Sequence, residues 1–395
     1  MDENLKAELH KEVKKSIARI ISLRHELHQI PEQAFKEEET AQLIRKRLND
    51  LGINILPSIT GTDVCAVIAG KEGGTTTALR ADIDALPIME KTGVPWTSKH
   101  PDFSHSCGHD GHIAMLLGAA EILQHFRKRF SGNALLIFQP GEENVAGALR
   151  LIGGGILSRA PIPQSIFGIH GWPGMKAGQL GSRAGALMAG AGQFTLSIHG
   201  KGGHGANPQA CIDPILTAAR IVESIQSIVS RSIDPLEPAV VSICSIHAGS
   251  TGNIIPDEAV LKGTFRYFWP ELGAFIQRKI IDISDSICKS TGAESLFQLE
   301  SDYTPLINDE KAVHRAGKAI SDVLGEEHWT TDITPTMIAE DFAFYLEKIS
   351  GAFLRLGLGE DHPKLHTADF DFNDEVLEPG ILALCSLVME QNIEG

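Results

Sequence analysis

The sequence predicts an α/β protein built on a largely parallel sheet, with a second unit of ferredoxin-like order, β-α-β-β-α-β, inserted into it. Strand and helix patterns alternate up to about residue 173 and resume after about residue 300, the arrangement of a sheet covered by helices on both faces. From about residue 185 the order becomes strand, helix, strand, strand, helix, strand, which is the split motif. Asp82, Asp84, Glu142, Glu143 and His170 each fall just after a predicted strand. In parallel sheets ligands bind outside the carboxyl ends of the strands. The expected boundaries are 1–184 and 300–395 for the two parts of the first domain, and 185–299 for the inserted one.

Each element has its own signal. Leu9, Val13, Ile17, Ile20, Ile21, Leu27 and Ile30 approximate a 3.6-residue period, so a long helix opens the chain and ends near Pro31. His25 and His28 lie on it and read as surface or packing residues. A second helix runs from about Glu38 to Leu51, stopped by Gly52. Strands are expected at 64–69, 76–80, 134–139 and 166–169, with a helix at 113–126 between the second and third. The inserted unit reads as strand 193–199, helix 212–230, strands 239–247 and 259–268, helix 271–290 and strand 295–299, with Asp213 and Pro214 starting the first helix. Beyond it come helices at 309–324 and 341–349, a strand at 352–356 and a last helix from about Asn373 to Gln391.

Composition removes several classes of function. The 395 residues are 43% hydrophobic, enough for more than one core. The formal charge is −15, and no block of lysine or arginine interrupts it, which argues against nucleic acid or an anionic membrane as partner. Apolar runs such as Ala134 to Phe138 are far too short for a membrane span. The chain opens Met-Asp-Glu-Asn and continues as a charged helix without an apolar signal region. Its six cysteines include no Cys-x-x-Cys pair, so a reducing, cytoplasmic setting is expected.

The chemistry concentrates in Ser-His-Ser-Cys-Gly-His-Asp-Gly-His, residues 104–112. Imidazole, thiolate and carboxylate bind borderline-soft divalent metals, and the glycines permit tight turns. Adding the strand-end and loop donors gives Cys107, His109, Glu143, His170 and His366, with Asp82, Asp84 and Glu142 nearby. Five donors exceed what one tetrahedral catalytic metal takes from protein. Two metals sharing a water use them naturally. Of the adjacent glutamates, one can coordinate while the other accepts a proton.

The chain resembles the aminoacylase and carboxypeptidase G class of metallo-amidohydrolases, in the branch with hippurate hydrolase and the auxin–amino acid conjugate hydrolases. The resemblance rests on residues 27–32, 80–87, 107–112, 140–143, 170–173, Gly202-Gly203-His204-Gly205-Ala206, 253–257, 340–342 and 365–367. It implies a catalytic domain holding two divalent metal ions per subunit and an inserted ferredoxin-like lid. Zinc or manganese is expected, and the donor set also admits cobalt or nickel. It makes Cys107, His109, Glu143, His170 and His366 the ligands and Glu142 the general base. Asp84, Asp110 and His112 would orient ligands from behind, the role of Asp82 is left open, and His105 is expected to have none. His204, Asn253 and Arg266 of the inserted domain would bind substrate, His204 in its own or a neighbouring subunit.

The expected activity is cleavage of the amide bond of an N-acyl amino acid by a metal-bridging water. The alternatives are a dipeptidase or carboxypeptidase of the same architecture, or an N-acetyldiaminopimelate-type deacetylase. A cysteine hydrolase using Cys107 leaves Glu143, His170 and His366 without a purpose. A homodimer or higher homo-oligomer through the lid is expected.

Overall fold

Four strands carry the first unit: Ser131–Gln139, Lys71–Asp82, Ser165–Pro173 and Ser350–Gly359, adjacent in that order and mutually parallel. Their central residues are buried one after another rather than alternately. That is the pattern of strands covered on both faces. The sheet has eight strands, and its flanks depart from the parallel set. Val64–Ala69 runs antiparallel to Ser131–Gln139 and pairs in turn with the short strand Asn54–Ile55. At the other side Leu180–Gly181 runs antiparallel to Ser350–Gly359, followed by Trp329–Thr330. The computed structural model describes residues 1–390.

Helices Glu3–His28, Glu38–Asp50, His109–Phe126, Glu310–Leu324 and Leu377–Met389 share one hydrophobic core with the sheet. Leu9, Val13, Ile20 and Leu27 of the first helix are buried in it, as their spacing requires. Asp2 caps that helix by accepting from the Leu5 N–H at 2.8 Å. Three helices are shorter than their patterns suggest, among them 212–230, where the α-helix is Pro214–Ile225 and a separate π-helical turn follows at Ile228–Ser232. Only Ala343–Leu346 of 341–349 is helical. Asp341 is instead fixed by buried partners, accepting from Arg80, Gln139 and the Ala148 N–H. The last helix starts at Leu377 after a 3₁₀ turn at Asp374–Val376, and Gln391 lies outside the described residues.

The chain divides into two compact units. The first comprises Met1–Leu187, Ile307–Thr334 and, among the described residues, 341–390; the second is Met188–Leu306 with Pro335–Glu340. The second is a four-stranded antiparallel sheet in the order Val240–Ala248, Glu258–Tyr267, Gly190–His199, Glu294–Tyr303. Helices Pro214–Ile225 and Pro270–Thr291 pack on it through Ile221, Ile225, Ile276 and Ile280. In chain order this is β-α-β-β-α-β, with the first strand central.

The opening helix also carries charge into the core. Arg24 and His28 are fully buried. Arg24 donates to Asp110 at 3.2 Å and to Asp371, and pairs with Asp374 at 2.8 Å. His28 Nδ1 donates to Asp110 at 2.8 Å, and its Nε2 lies 3.3 Å from Glu90. His28 is thus neither a surface nor an apolar packing residue. Burial alone would lower its pKa, but Asp110 and Glu90 outweigh that and raise it to about 10. A group whose pKa is raised on folding contributes its full stabilisation below its unfolded value, near 6.5, and the contribution is lost as pH rises through about 10. Denaturant titrations should therefore show stability falling between pH 7 and 10, by up to about 1.4 kcal/mol per pH unit from this group. The His28→Gln variant should lack that increment; equal slopes in the two proteins would remove His28 as its source.

Candidate metal centre

Glycines set the two turns that aim the donors. Gly108, at φ 84°, opens helix His109–Phe126, so Cys107 and His109 flank a left-handed residue. Gly141, at φ 68°, turns the chain from strand Ser131–Gln139 into the one-turn helix Glu142–Val145. His170 is on strand Ser165–Pro173. His366 follows strand Ser350–Gly359 in a loop and itself has φ 61°. A non-glycine residue held there needs support, and the His366 N–H donates to the Ser106 carbonyl at 2.8 Å.

The donor atoms converge. Cys107 Sγ lies 3.5 Å from His170 Nε2 and 3.3 Å from His366 Nε2. Glu143 Oε1 is 3.3 Å from His366 Nε2 and 3.9 Å from His109 Nε2. Each group Asp82–His109–His112–His170, His109–Glu142–Glu143 and Cys107–Glu143–His366 offers donor atoms within 4.8 Å of one another. The first two groups share His109 and the last two share Glu143.

Hydrogen bonds outside the cluster fix which nitrogens face inward. His109 Nδ1 donates to the Asp84 carbonyl at 2.9 Å, and His170 Nδ1 to the Gly171 carbonyl at 2.7 Å. Both acceptors are carbonyls, so each Nδ1 carries a proton and each Nε2 is the atom turned toward the cluster and open to a cation. His109 Nε2 and Glu143 Oε1 are buried without a hydrogen-bond partner among the described residues. Two orphaned polar atoms facing a thiol and two further imidazoles fit a cation.

The electrostatics agree. Burial pushes the Cys107 thiol pKa well up, and Glu143, Glu142 and Asp82 push it further. Burial opposes a charge on His109, but Asp82 and Asp84 raise its pKa to about 10. With no cation bound, Nε2 of His109 therefore holds a second proton, and a divalent cation would displace it to take the Nε2 lone pair.

His112 is spoken for. Its Nδ1 donates to Asp82 Oδ1 at 2.6 Å, and its Nε2 accepts the Gly171 N–H at 2.9 Å. With both nitrogens engaged it orients Asp82, whose other oxygen accepts from Arg80 at 2.7 Å. Burial would raise the Asp82 pKa, but His109, His112 and Arg80 hold it well below the usual range. Asp84 receives the N–H groups of Glu142 and Glu143, each at 3.1 Å. Asp110 turns elsewhere, to Arg24 and His28. His105 is buried with neither ring nitrogen hydrogen-bonded among the described residues, and burial holds its pKa down to about 4.

In the second unit, His204 pairs with Ile254 across a two-stranded ribbon. Its Nδ1 accepts the Ala206 N–H at 3.1 Å, and the Asn253 carbonyl accepts the Gly205 N–H at 2.9 Å. These two residues are therefore neighbours. Arg266 is not with them. Glu258 pairs with His199, close in sequence to His204, whereas Arg266 pairs with Ala191 at the far end of the same strand. Eight residues of strand separate those positions by about 26 Å.

Reading residues in isolation missed the charged role of His28. Its partners Asp110, Glu90 and Asp371 are scattered along the chain and share no local spacing with it.

Comparison with known proteins assigns the chain to a family. Residues 78–390 match the family model described as peptidase family M20/M25/M40. The chain is 39% identical over 356 residues to the N-acetyl-L-cysteine deacetylase of Bacillus subtilis strain 168, covering 88% of this chain and 82% of that one. It is 36% identical over 378 residues to the IAA-amino acid hydrolase ILR1-like 5 of Arabidopsis thaliana, covering 93% and 85%. The crystal structure of the Bacillus subtilis YXEP protein, described as a dinuclear metal-binding peptidase of the M20 family, superposes with a TM-score of 0.84 at 34% identity, over 96% of this chain and 99% of that one. A buried cluster with inward-facing donors, a largely parallel sheet and these matches lead to one statement: the chain is a hydrolase of peptidase family M20/M25/M40.

Proposed function

We propose that the chain hydrolyses the amide bond of N-acyl amino acids, releasing a carboxylic acid and a free amino acid. The observation that carries this is the overlap of the donor groups, with Glu142 beside both His109 and Glu143. Overlapping groups suit two adjacent cations, and a second carboxylate next to a ligating one suits a general base. The relatives named as a deacetylase of N-acetyl-L-cysteine and as a hydrolase of IAA-amino acids support the substrate class.

Cys107, His109, Glu143, His170 and His366 would hold two divalent cations, zinc or manganese, with cobalt or nickel also suited to the donors. When bound, such cations lower the pKa of water to about 7 and polarise a carbonyl. Glu142 would take the proton from the attacking water and return it to the leaving amine nitrogen, so that the tetrahedral carbon collapses to acid and amine. The Asp84 carboxylate, receiving two backbone N–H groups, would keep Glu142 and Glu143 from turning away from the substrate. Residues 185–299 would serve as lid and dimerisation domain, with His204 and Asn253 contributing to substrate binding and His204 to oxyanion stabilisation; Arg266, at the far end of the strand from them, would bind the same substrate where His204 and Asn253 come from a neighbouring subunit. Cytoplasmic location fits the cysteine usage; among the described residues no helix is long and apolar enough to cross a membrane.

The test is a screen of metal-reconstituted protein on N-acetyl, N-benzoyl and indole-acyl amino acids beside matching dipeptides, with and without chelator. Acyl substrates should be cut, at a rate at least tenfold above dipeptides, and chelator should abolish turnover. Preference for dipeptides would replace the reading by a dipeptidase. Activity that survives chelator and dies with iodoacetamide would favour a Cys107 nucleophile.

A further inference from the structure

The turn that presents Glu142 and Glu143 is held by two buried carboxyl groups rather than one. Three consecutive backbone N–H groups leave it: Gly141 donates to Glu37 Oε1 at 3.1 Å, and Glu142 and Glu143 donate to the two oxygens of Asp84, each at 3.1 Å. Asp84 lies two residues past its strand, on the chain that also ties down His109. Glu37 comes from elsewhere, the residue before helix Glu38–Asp50, and nothing in its spacing points to the cluster. It is fully buried, and the same Oε1 accepts the Phe35 N–H at 2.9 Å.

A buried carboxyl is costly beside another acid. Burial, with Asp84 adding to it, raises the Glu37 pKa to about 7. What this residue secures in return is the orientation of a glycine in the left-handed region, φ 68° and ψ 42°. Free rotation at Gly141 would swing the Glu142 carboxylate relative to the cluster, since glycine has no side chain to restrict it. Asp84 fixes the two residues after the glycine, and Glu37 fixes the glycine itself.

We infer that Glu37 is a positioning residue for Glu142: by accepting the Gly141 N–H it sets the direction in which the Glu142 carboxylate leaves the sheet. The inference rests on the reading of Glu142 as general base. Groups that orient reacting residues from behind are typically worth 10- to 100-fold in activity, and a displacement of about 1 Å at the reacting centre costs on the order of 100-fold.

The test compares Glu37→Met, which fills the volume without an acceptor, with Glu37→Gln, which keeps one. In metal-loaded protein E37M should lower kcat about 10- to 100-fold, with KM within about threefold and metal content unchanged, and E37Q should stay within about threefold of wild type. In metal-free protein, amide hydrogen exchange at Gly141 should quicken at least tenfold in E37M and return in E37Q, with Leu136 of the adjoining strand protected as in wild type. Wild-type kcat in E37M, unchanged exchange at Gly141, or loss of bound metal would each overturn the inference. If E37M does not fold, E37Q decides: loss of more than tenfold in kcat with metal retained overturns it, and near-wild-type kcat with a protected Gly141 amide supports it. The exchange arm is independent of chemistry, so an active E142Q enzyme would reject the base assignment and leave the Gly141 measurement standing on its own.

Discussion

Glu142→Gln should bind both cations and lose turnover by about 10²- to 10⁴-fold, the range supplied by a positioned general base. The substitution keeps the backbone N–H that donates to Asp84 and so keeps the turn. It also removes one of the negative charges that oppose ionisation of Cys107. Metal content should therefore equal or exceed that of the wild type while kcat collapses. Metal analysis on the same sample used for kinetics makes the separation. Wild-type kcat in E142Q would end the base assignment, and loss of metal would make Glu142 a ligand instead.

The largest effect on stability is expected at Arg24. Arg24→Met keeps an unbranched apolar stem, removes the guanidinium and leaves Asp110, fully buried, without one of its cations. Breaking one partner of a buried pair costs about 3–5 kcal/mol. Asp371 and Asp374 are about a fifth and a quarter exposed, so solvent shares part of the loss and the lower end, about 3 kcal/mol, is expected. The matching control is Arg129→Met. Arg129 and Glu8 pair at 3.1 Å with both side chains exposed, which is worth under about 1 kcal/mol. Urea unfolding of the three proteins should order them wild type, R129M, R24M; equal midpoints for the two variants would mean the buried network contributes no more than a surface pair.

The fold could be read from the sequence where periodicity and burial coincide. The central strands are apolar on both faces and alternate with helices, and that alternation announced a largely parallel sheet without any knowledge of partners. Val64–Ala69 has the same composition and runs antiparallel, because direction is decided by the connection and not by the residues. Among the donors, Cys107, His109, Glu143 and His170 stand beside glycines or at strand ends, where a metal-binding residue type is conspicuous. Which nitrogens of His109 and His170 face inward was not legible, since that depends on carbonyls at positions 84 and 171. Nor was the divergence of neighbours: His112 and Asp110 share one helical turn, yet one faces Asp82 and the other Arg24. A spacing locates residues in a segment, and only packing tells which way each one turns.

The contact between Cys107 Sγ and His366 Nε2 joins residues 259 positions apart. At roughly 5–20 residues per second on the ribosome, about 13–50 seconds of translation separate the emergence of the two. Once His170 has followed, a nascent chain displays Cys107, His109, Glu143 and His170 with no His366 to close the set. Premature loading by a thiol-seeking ion, or oxidation of an unprotected sulfur, would have to be resisted in that window by the partly built sheet alone.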